Sequence, residues 1–199
     1  MLISKRFIFV NVSLLVLLSL TIGCNNASDT DRFNVMVSRA TDYSSIQGLR
    51  DNSSLVVKGT ISGIDHIDQE SPAGMGATYF TFSVEKALFP NEANIDGDII
   101  VRQDGYDVGQ TARVVLDSPL MKKGDNVVLF LKQPEPEDGK YYYIVGGPQG
   151  RFVVQDNKVF SLNHSISSVH ESTVVEINGM TLEEFSNEMK PTKSFEYSE

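Results

Sequence analysis

Cysteine is almost absent: the 199 residues contain one, Cys24. A disulfide within the chain is therefore excluded, and so is a zinc site built on several thiolates. Tryptophan is missing altogether, which removes the strongest sugar-stacking side chain and leaves that role to Tyr and Phe. Positive charge is also short, with 17 Lys and Arg against 26 Asp and Glu, a net −9. That is the wrong sign for nucleic acid, which needs a basic footprint, and for adsorption to an anionic lipid surface. Acidity of this kind mainly favours solubility. Catalytic signatures are missing as well. There is no Gly-x-Ser-x-Gly elbow, and Gly146-Gly147-Pro148-Gln149-Gly150 lacks the Lys and the helix that follow a phosphate loop.

What is present begins at the N-terminus. Lys5 and Arg6 precede an apolar run from Phe7 to Ile22, interrupted only by Asn11, Ser13, Ser19 and Thr21. Such a segment has signal-peptide architecture and stands apart from the fold. It is short for a spanning helix, which needs about 20 predominantly apolar residues. Its ending, Leu20-Thr21-Ile22-Gly23-Cys24, resembles the lipobox of bacterial lipoproteins, with Thr21 where that pattern prefers Leu. The resemblance implies removal of residues 1–23 and lipidation of Cys24 as the mature N-terminus, with diacylglyceryl and fatty-acyl (palmitate-type) chains. Two chains suffice for stable anchoring, so the expected location is the bacterial cell membrane, facing the extracytoplasmic side. Loss of Lys5 and Arg6 takes 17 basic residues to 15 against 26 acidic, a net −11. Residues 24–31 are then the lipidated cysteine and a small polar tether, which reaches on the order of 20 Å when extended.

Beyond the tether, residues 32–190 read as one domain, followed by a tail at 191–199. A short helix is predicted at Ser44–Asp51, capped by Ser44 or Ser45 and apolar at Ile46 and Leu49. From Leu55 the pattern turns to strands. Leu55–Ile64 is β-branched with two glycines, which mark bulges or barrel corners. Thr78–Val84 alternates, with Phe80, Phe82 and Val84 expected inward and Tyr79, Thr81 and Ser83 outward. Gln69–Gly76 reads as a flexible loop. Further strands are predicted at Asp98–Gln103, Ala112–Leu116, Asn126–Lys132, Tyr141–Val145, Arg151–Gln155, Lys158–Leu162 and Ser172–Ile177. Asp156-Asn157 suits a two-residue hairpin, and Asp96-Gly97 and Asp138-Gly139 are turn dipeptides. Pro134–Asp138 is an exposed loop. Thr181-Leu182-Glu183-Glu184 has capping-box spacing and opens a helix to about Met189, ended by Pro191. The expected fold is mainly β, a small OB-like/netrin-like β-barrel with short helices flanking it at the N- and C-terminal ends.

The segments Leu55-Val56-Val57-Lys58-Gly59-Thr60-Ile61 and Tyr79-Phe80-Thr81-Phe82-Ser83-Val84-Glu85-Lys86-Ala87-Leu88 resemble the opening hairpin of netrin/TIMP-like OB-type barrels. Lys122–Leu131 and Gly146–Phe152 are similar to bacterial secreted proteins sharing this barrel. The resemblance spans about Leu55 to Leu162 and implies a fold without an activity. Metalloproteinase inhibition in the TIMP family uses a free N-terminal cysteine amine positioned by disulfides. Acylation of Cys24 would block that amine, and the disulfides are missing, so inhibition does not carry over.

Four groups are candidate sites. Asp65-His66-Ile67-Asp68-Gln69-Glu70 gathers acids and a histidine, and on a strand His66 and Asp68 share a face. Those two supply only two ligands, so they are weak metal candidates and a solvated loop is the better reading. Asn94–Asp98 lacks the ligand series of a calcium loop and reads as a turn. His164, His170 and Glu171 have neither helical nor strand-type metal spacing. Tyr141-Tyr142-Tyr143 is the best binding candidate, with Tyr141 and Tyr143 on one face and Tyr106 expected nearby as part of an aromatic platform. No cofactor is implied. The expected role is a non-enzymatic, lipid-anchored envelope module binding a peptide, glycan or protein partner, without nucleic acid. The alternatives are a hydrolytic or metal-assisted enzyme using residues 65–70, and a structural envelope spacer.

Overall fold

The structure, a computed structural model, describes residues 31–35, 41–70, 74–90, 95, 97–133, 140–162, 167–170 and 173–190. The signal segment, Cys24 and its tether up to Thr30, Ser71–Ala73, Asn94, Asp96, the Pro134–Asp138 loop with Gly139, His164, Glu171, Ser172, Pro191 and the tail lie outside the described residues.

In chain order the elements are β1 (Asp31–Val35), α1 (Ile46–Asp51), β2 (Leu55–Asp68), β3 (Ala77–Phe89), β4 (Asp98–Asp104), β5 (Tyr106–Asp107), β6 (Thr111–Val115), β7 (Asn126–Lys132), β8 (Tyr142–Ile144), β9 (Arg151–Gln155), β10 (Lys158–Ser161), β11 (Ser167–His170), β12 (Thr173–Glu176), β13 (Met180–Thr181) and α2 (Leu182–Glu188). Most predicted elements are found with ends shifted by a residue or two, while β2 and β3 run well past the expected Ile64 and Val84, to Asp68 and Phe89. β2 runs on to Asp68, so the acidic Asp65–Asp68 stretch is strand rather than loop. β1, β5, β11 and β13 are not among the strands the sequence predicts.

Five strands close a barrel. β2 pairs with β3, β3 with β4, and β2 with β7, all antiparallel. β8 then joins β4 in parallel and β7 antiparallel, completing the ring β2–β3–β4–β8–β7. A five-stranded closed ring of this order is an OB-type barrel. β2 and β3 are long, and their pairing shifts register four times; each shift adds bend and twist, so one hairpin wraps round the ring. Gly59 sits at such a shift, where a Cβ would overlap the Ser83 carbonyl and the Phe82 ring. β9, β10 and β13 extend the sheet beyond β7, and β1, β6 and β5 form a separate three-stranded sheet.

The run Asn126-Val127-Val128-Leu129-Phe130-Leu131 is apolar without alternation because both faces of β7 are buried. Val127, Leu129 and Leu131 enter the barrel interior with Leu55, Val57, Phe80, Phe82 and Val101. Val128 and Phe130 face outward into a second core with Ile46, Leu49, Phe152, Phe185 and Met189. The terminal helices cover this wall. Ser45 caps α1 by accepting from the Gly48 N–H at 3.1 Å, and Thr181 and Glu184 form the capping box of α2. Arg50 donates to the Met189 carbonyl at 2.6 Å and Gln47 to that of Glu188 at 3.0 Å, so the two helices hold each other. Asp156 and Asn157 both take positive φ, 49° and 60°, as the β9–β10 hairpin turn requires.

Candidate binding surface

The wall away from the helices carries different side chains. Across β2, β3, β4 and β8 the register aligns His66 with Tyr79, Tyr79 with Arg102, and Arg102 with Tyr143. On β7, Lys132 aligns with Tyr143. Residues opposite one another in a ladder project to the same face, and their chain neighbours Phe80, Val101 and Leu131 are in the interior. His66, Tyr79, Arg102, Tyr143 and Lys132 therefore form one outward row around the barrel.

Rings fill most of that row. His66 stacks on Tyr79 with centroids 4.0 Å apart and planes 13° from parallel. Tyr141, just before β8, meets Tyr79 edge-on at 5.1 Å and Tyr143 edge-on at 5.3 Å. The guanidinium of Arg102 lies 6.0 Å from the Tyr143 centroid, within reach of a cation–π attraction. The predicted pair Tyr141 and Tyr143 thus comes together, with Tyr142 turned inward against the barrel core. Tyr106 does not join them. It is 3% exposed in β5, and its ring packs over Gly76 so closely that a Cβ there would overlap it. Tyr79 and Arg102, which complete the surface, were not singled out from the sequence. The signal was present in the outward parity of Tyr79 and in Arg102 beside Val101.

Charge on the surface is largely compensated. Arg102 pairs with Asp104 at 2.8 Å. Burial alone would lower its pKa, but the charge of Asp104 and the nearby Tyr79 and Tyr141 phenols raise it overall. Burial raises the Tyr79 phenol, opposed by Arg102. His66 Nδ1 lies 2.7 Å from the Asp65 carboxylate, so its near partner is Asp65 rather than Asp68. Asp68 accepts from the Glu70 N–H at 2.9 Å. Among the described residues, no three His, Cys, Asp or Glu side chains converge as a metal site would require. His170 ends β11, opposite Thr173 in β12.

Behind Tyr143 the surface opens into a cavity of about 330 Å³ between β4, β8, the Gly146–Pro148 turn and Thr41–Tyr43. Buried glutamines fix its walls. Gln149 is fully buried; its amide oxygen accepts from the Tyr43 N–H, and its amide nitrogen donates to the Tyr43 carbonyl and to Asp42. Gln103 donates to the Ser118 and Pro119 carbonyls and accepts from the Met121 N–H. Arg151 reaches the same wall and donates to the Pro119 carbonyl at 2.8 Å. Burial lowers its pKa, with Asp125 opposing at longer range.

No family model matches this chain, and no curated protein matches it. No helix among the described residues is long and apolar enough to cross a membrane.

Proposed function

We propose that this chain is a lipid-anchored extracytoplasmic protein whose barrel is a binding module, with the row His66–Tyr79–Arg102–Tyr143 and Tyr141 as its contact surface. The observation that carries the reading is the register itself, which sets rings and a guanidinium side by side on four neighbouring strands. OB-type barrels bind oligosaccharides and oligonucleotides on their strand 2–3 face and flanking loops. Here that face is β3–β4, and a net −9 chain favours a glycan or peptide over nucleic acid. The Gly23-Cys24 ending supports the anchor, which would hold an acidic domain at a membrane that repels it.

The chain has seven Tyr and no Trp, and Tyr79, Tyr141 and Tyr143 stand together on this surface, so the part of the tyrosine emission lost in Tyr141→Ala and Tyr143→Ala reports on it. Titration with envelope glycans and peptides should quench that emission in wild type, and Tyr141→Ala should weaken binding at least tenfold. Unchanged affinity in Tyr141→Ala and Tyr143→Ala would place the contact surface elsewhere. The anchor is tested by intact mass from native membranes beside Cys24→Ala. A mass equal to the chain from Cys24 plus diacylglyceryl supports it, and an unlipidated wild-type mass overturns it.

A further inference from the structure

Arg151 is 5% exposed, yet its described hydrogen bond is a single one, to the Pro119 carbonyl. A guanidinium carries five N–H donors. Among the described residues no carboxylate lies within ion-pair distance of it. Buried charges are ordinarily paired, because desolvation is otherwise uncompensated. Arg151 also lines the 330 Å³ cavity, together with Arg102, Asp104, Asp117 and Tyr143. Of these, Arg102 and Asp104 neutralise each other, and Asp117 already has a partner. Arg151 is the lining cation that has no ion pair among the described residues, with Asp125 acting on it only at longer range. The cavity's volume is near the lower end of small-ligand sites, about 300–1,000 Å³. Planar, forked donors fit carboxylates two bonds at a time.

We infer that this cavity takes the carboxylate of an acidic sugar, with Arg151 as the anion anchor and Tyr143 as the ring at its mouth. Tyr143 belongs both to the cavity and to the outer row, so a glycan seated on Arg151 continues onto Tyr141 without leaving the surface. Sugar is favoured over peptide because the continuation is a file of aromatic rings, which meet the C–H faces of pyranoses. The inference rests on the binding-module reading above and names its ligand class.

The test is calorimetric titration of the full chain with a galacturonic acid trimer and with the neutral galactose trimer. Wild type should bind the acidic trimer at least tenfold more tightly. Arg151→Lys keeps the charge but loses the fork, and should remove most of that preference. Because Arg151 is buried, a second variant guards against misfolding. Thr41→Trp fills the cavity from an exposed position and should weaken the acidic trimer tenfold without lowering the melting temperature. Equal affinity for both trimers, with binding still lost in Tyr141→Ala, overturns the Arg151 assignment and leaves the binding surface standing. Tighter binding of a peptide with a free C-terminal carboxylate overturns the sugar assignment. Binding of no probe, together with unaltered recovery of envelope partners by Tyr141→Ala, overturns both readings.

Discussion

The barrel's two outer walls rest on the same ring of strands and carry opposite chemistry. On the β7 side, Phe130, Phe152 and Phe185 are each 0% exposed, with centroids 5.0–6.2 Å apart, and the terminal helices close over them. On the β2–β3–β4–β8 side, no described helix covers the row, and the His66 side chain is 55% exposed over a Tyr79 that is 9% exposed. Both walls are aromatic, so aromatic content alone does not separate them. What separates them is the polar handle. Phe has none and is stabilised by burial, about 1.5–3 kcal/mol per side chain. Tyr, His and Arg keep a hydrogen-bonding end that suits a surface meeting a partner. One wall is closed by the helices, and the other is the proposed contact surface.

Truncating each wall is the largest test of this contrast. Phe130→Ala should cost about 3–5 kcal/mol in urea unfolding, through lost transfer energy and a cavity at the centre of the second core. Tyr141→Ala should cost under about 1 kcal/mol, as substitutions near the surface generally do, while removing ligand binding. Equal costs would mean that the row is structural and the contrast false.

Gln103→Leu acts on the cavity wall, where β4 meets the Ser118–Met121 segment. It would leave the Ser118 and Pro119 carbonyls and the Met121 N–H without their side-chain partner, at about 2–3 kcal/mol in the same assay. Ser45→Ala acts on the cover alone. Loss of the α1 cap should lower stability by about 1 kcal/mol and leave affinity at the opposite wall unchanged.

The two apolar cores are more legible in the sequence than the aromatic row, for a physical reason. Hydrophobic burial leaves a periodic trace, so Phe80 and Phe82 read as inward from alternation, and Ile46 and Leu49 as one helical face. Short-range turn and cap chemistry was also readable, in Asp156-Asn157, Ser45 and Thr181. The row depends on pairing between strands far apart in sequence: His66, Tyr79, Arg102 and Tyr143 are neighbours only once four strands are in register. Tyr141 and Tyr143 were visible as a cluster within one strand. Tyr106, expected beside them, stands instead in the separate three-stranded sheet with its ring over Gly76. Arg151 begins a strand and looks like an ordinary surface cation until its burial is known.

The smallest expected effect lies at β1, which is tied to the rest by less than either wall is. Arg32 pairs with Asp107 at 2.7 Å and donates to the Gly109 carbonyl at 2.6 Å, while the Leu116 N–H donates to the Val35 carbonyl at 3.2 Å. The Arg32 hydrogen bond, then the Gly109 N–H, hold the Asp107 carboxyl below its ordinary 3.8. A depressed carboxylate adds stability that is full above the unfolded value and is lost as pH falls through the lower folded one. Acidification below about pH 3.8 should therefore release β1 before the barrel opens, because the barrel is held by two apolar cores beside its own titrating Glu85–Lys58 pair. Amide exchange reads this directly: Leu116 should lose protection while Val57 and Leu129 keep theirs. Arg32→Gln should leave Leu116 less protected at neutral pH and flatten its acid dependence. Protection at Leu116 that persists in acid as long as at Leu129 would show that ladder hydrogen bonds, rather than the ion pair, hold β1.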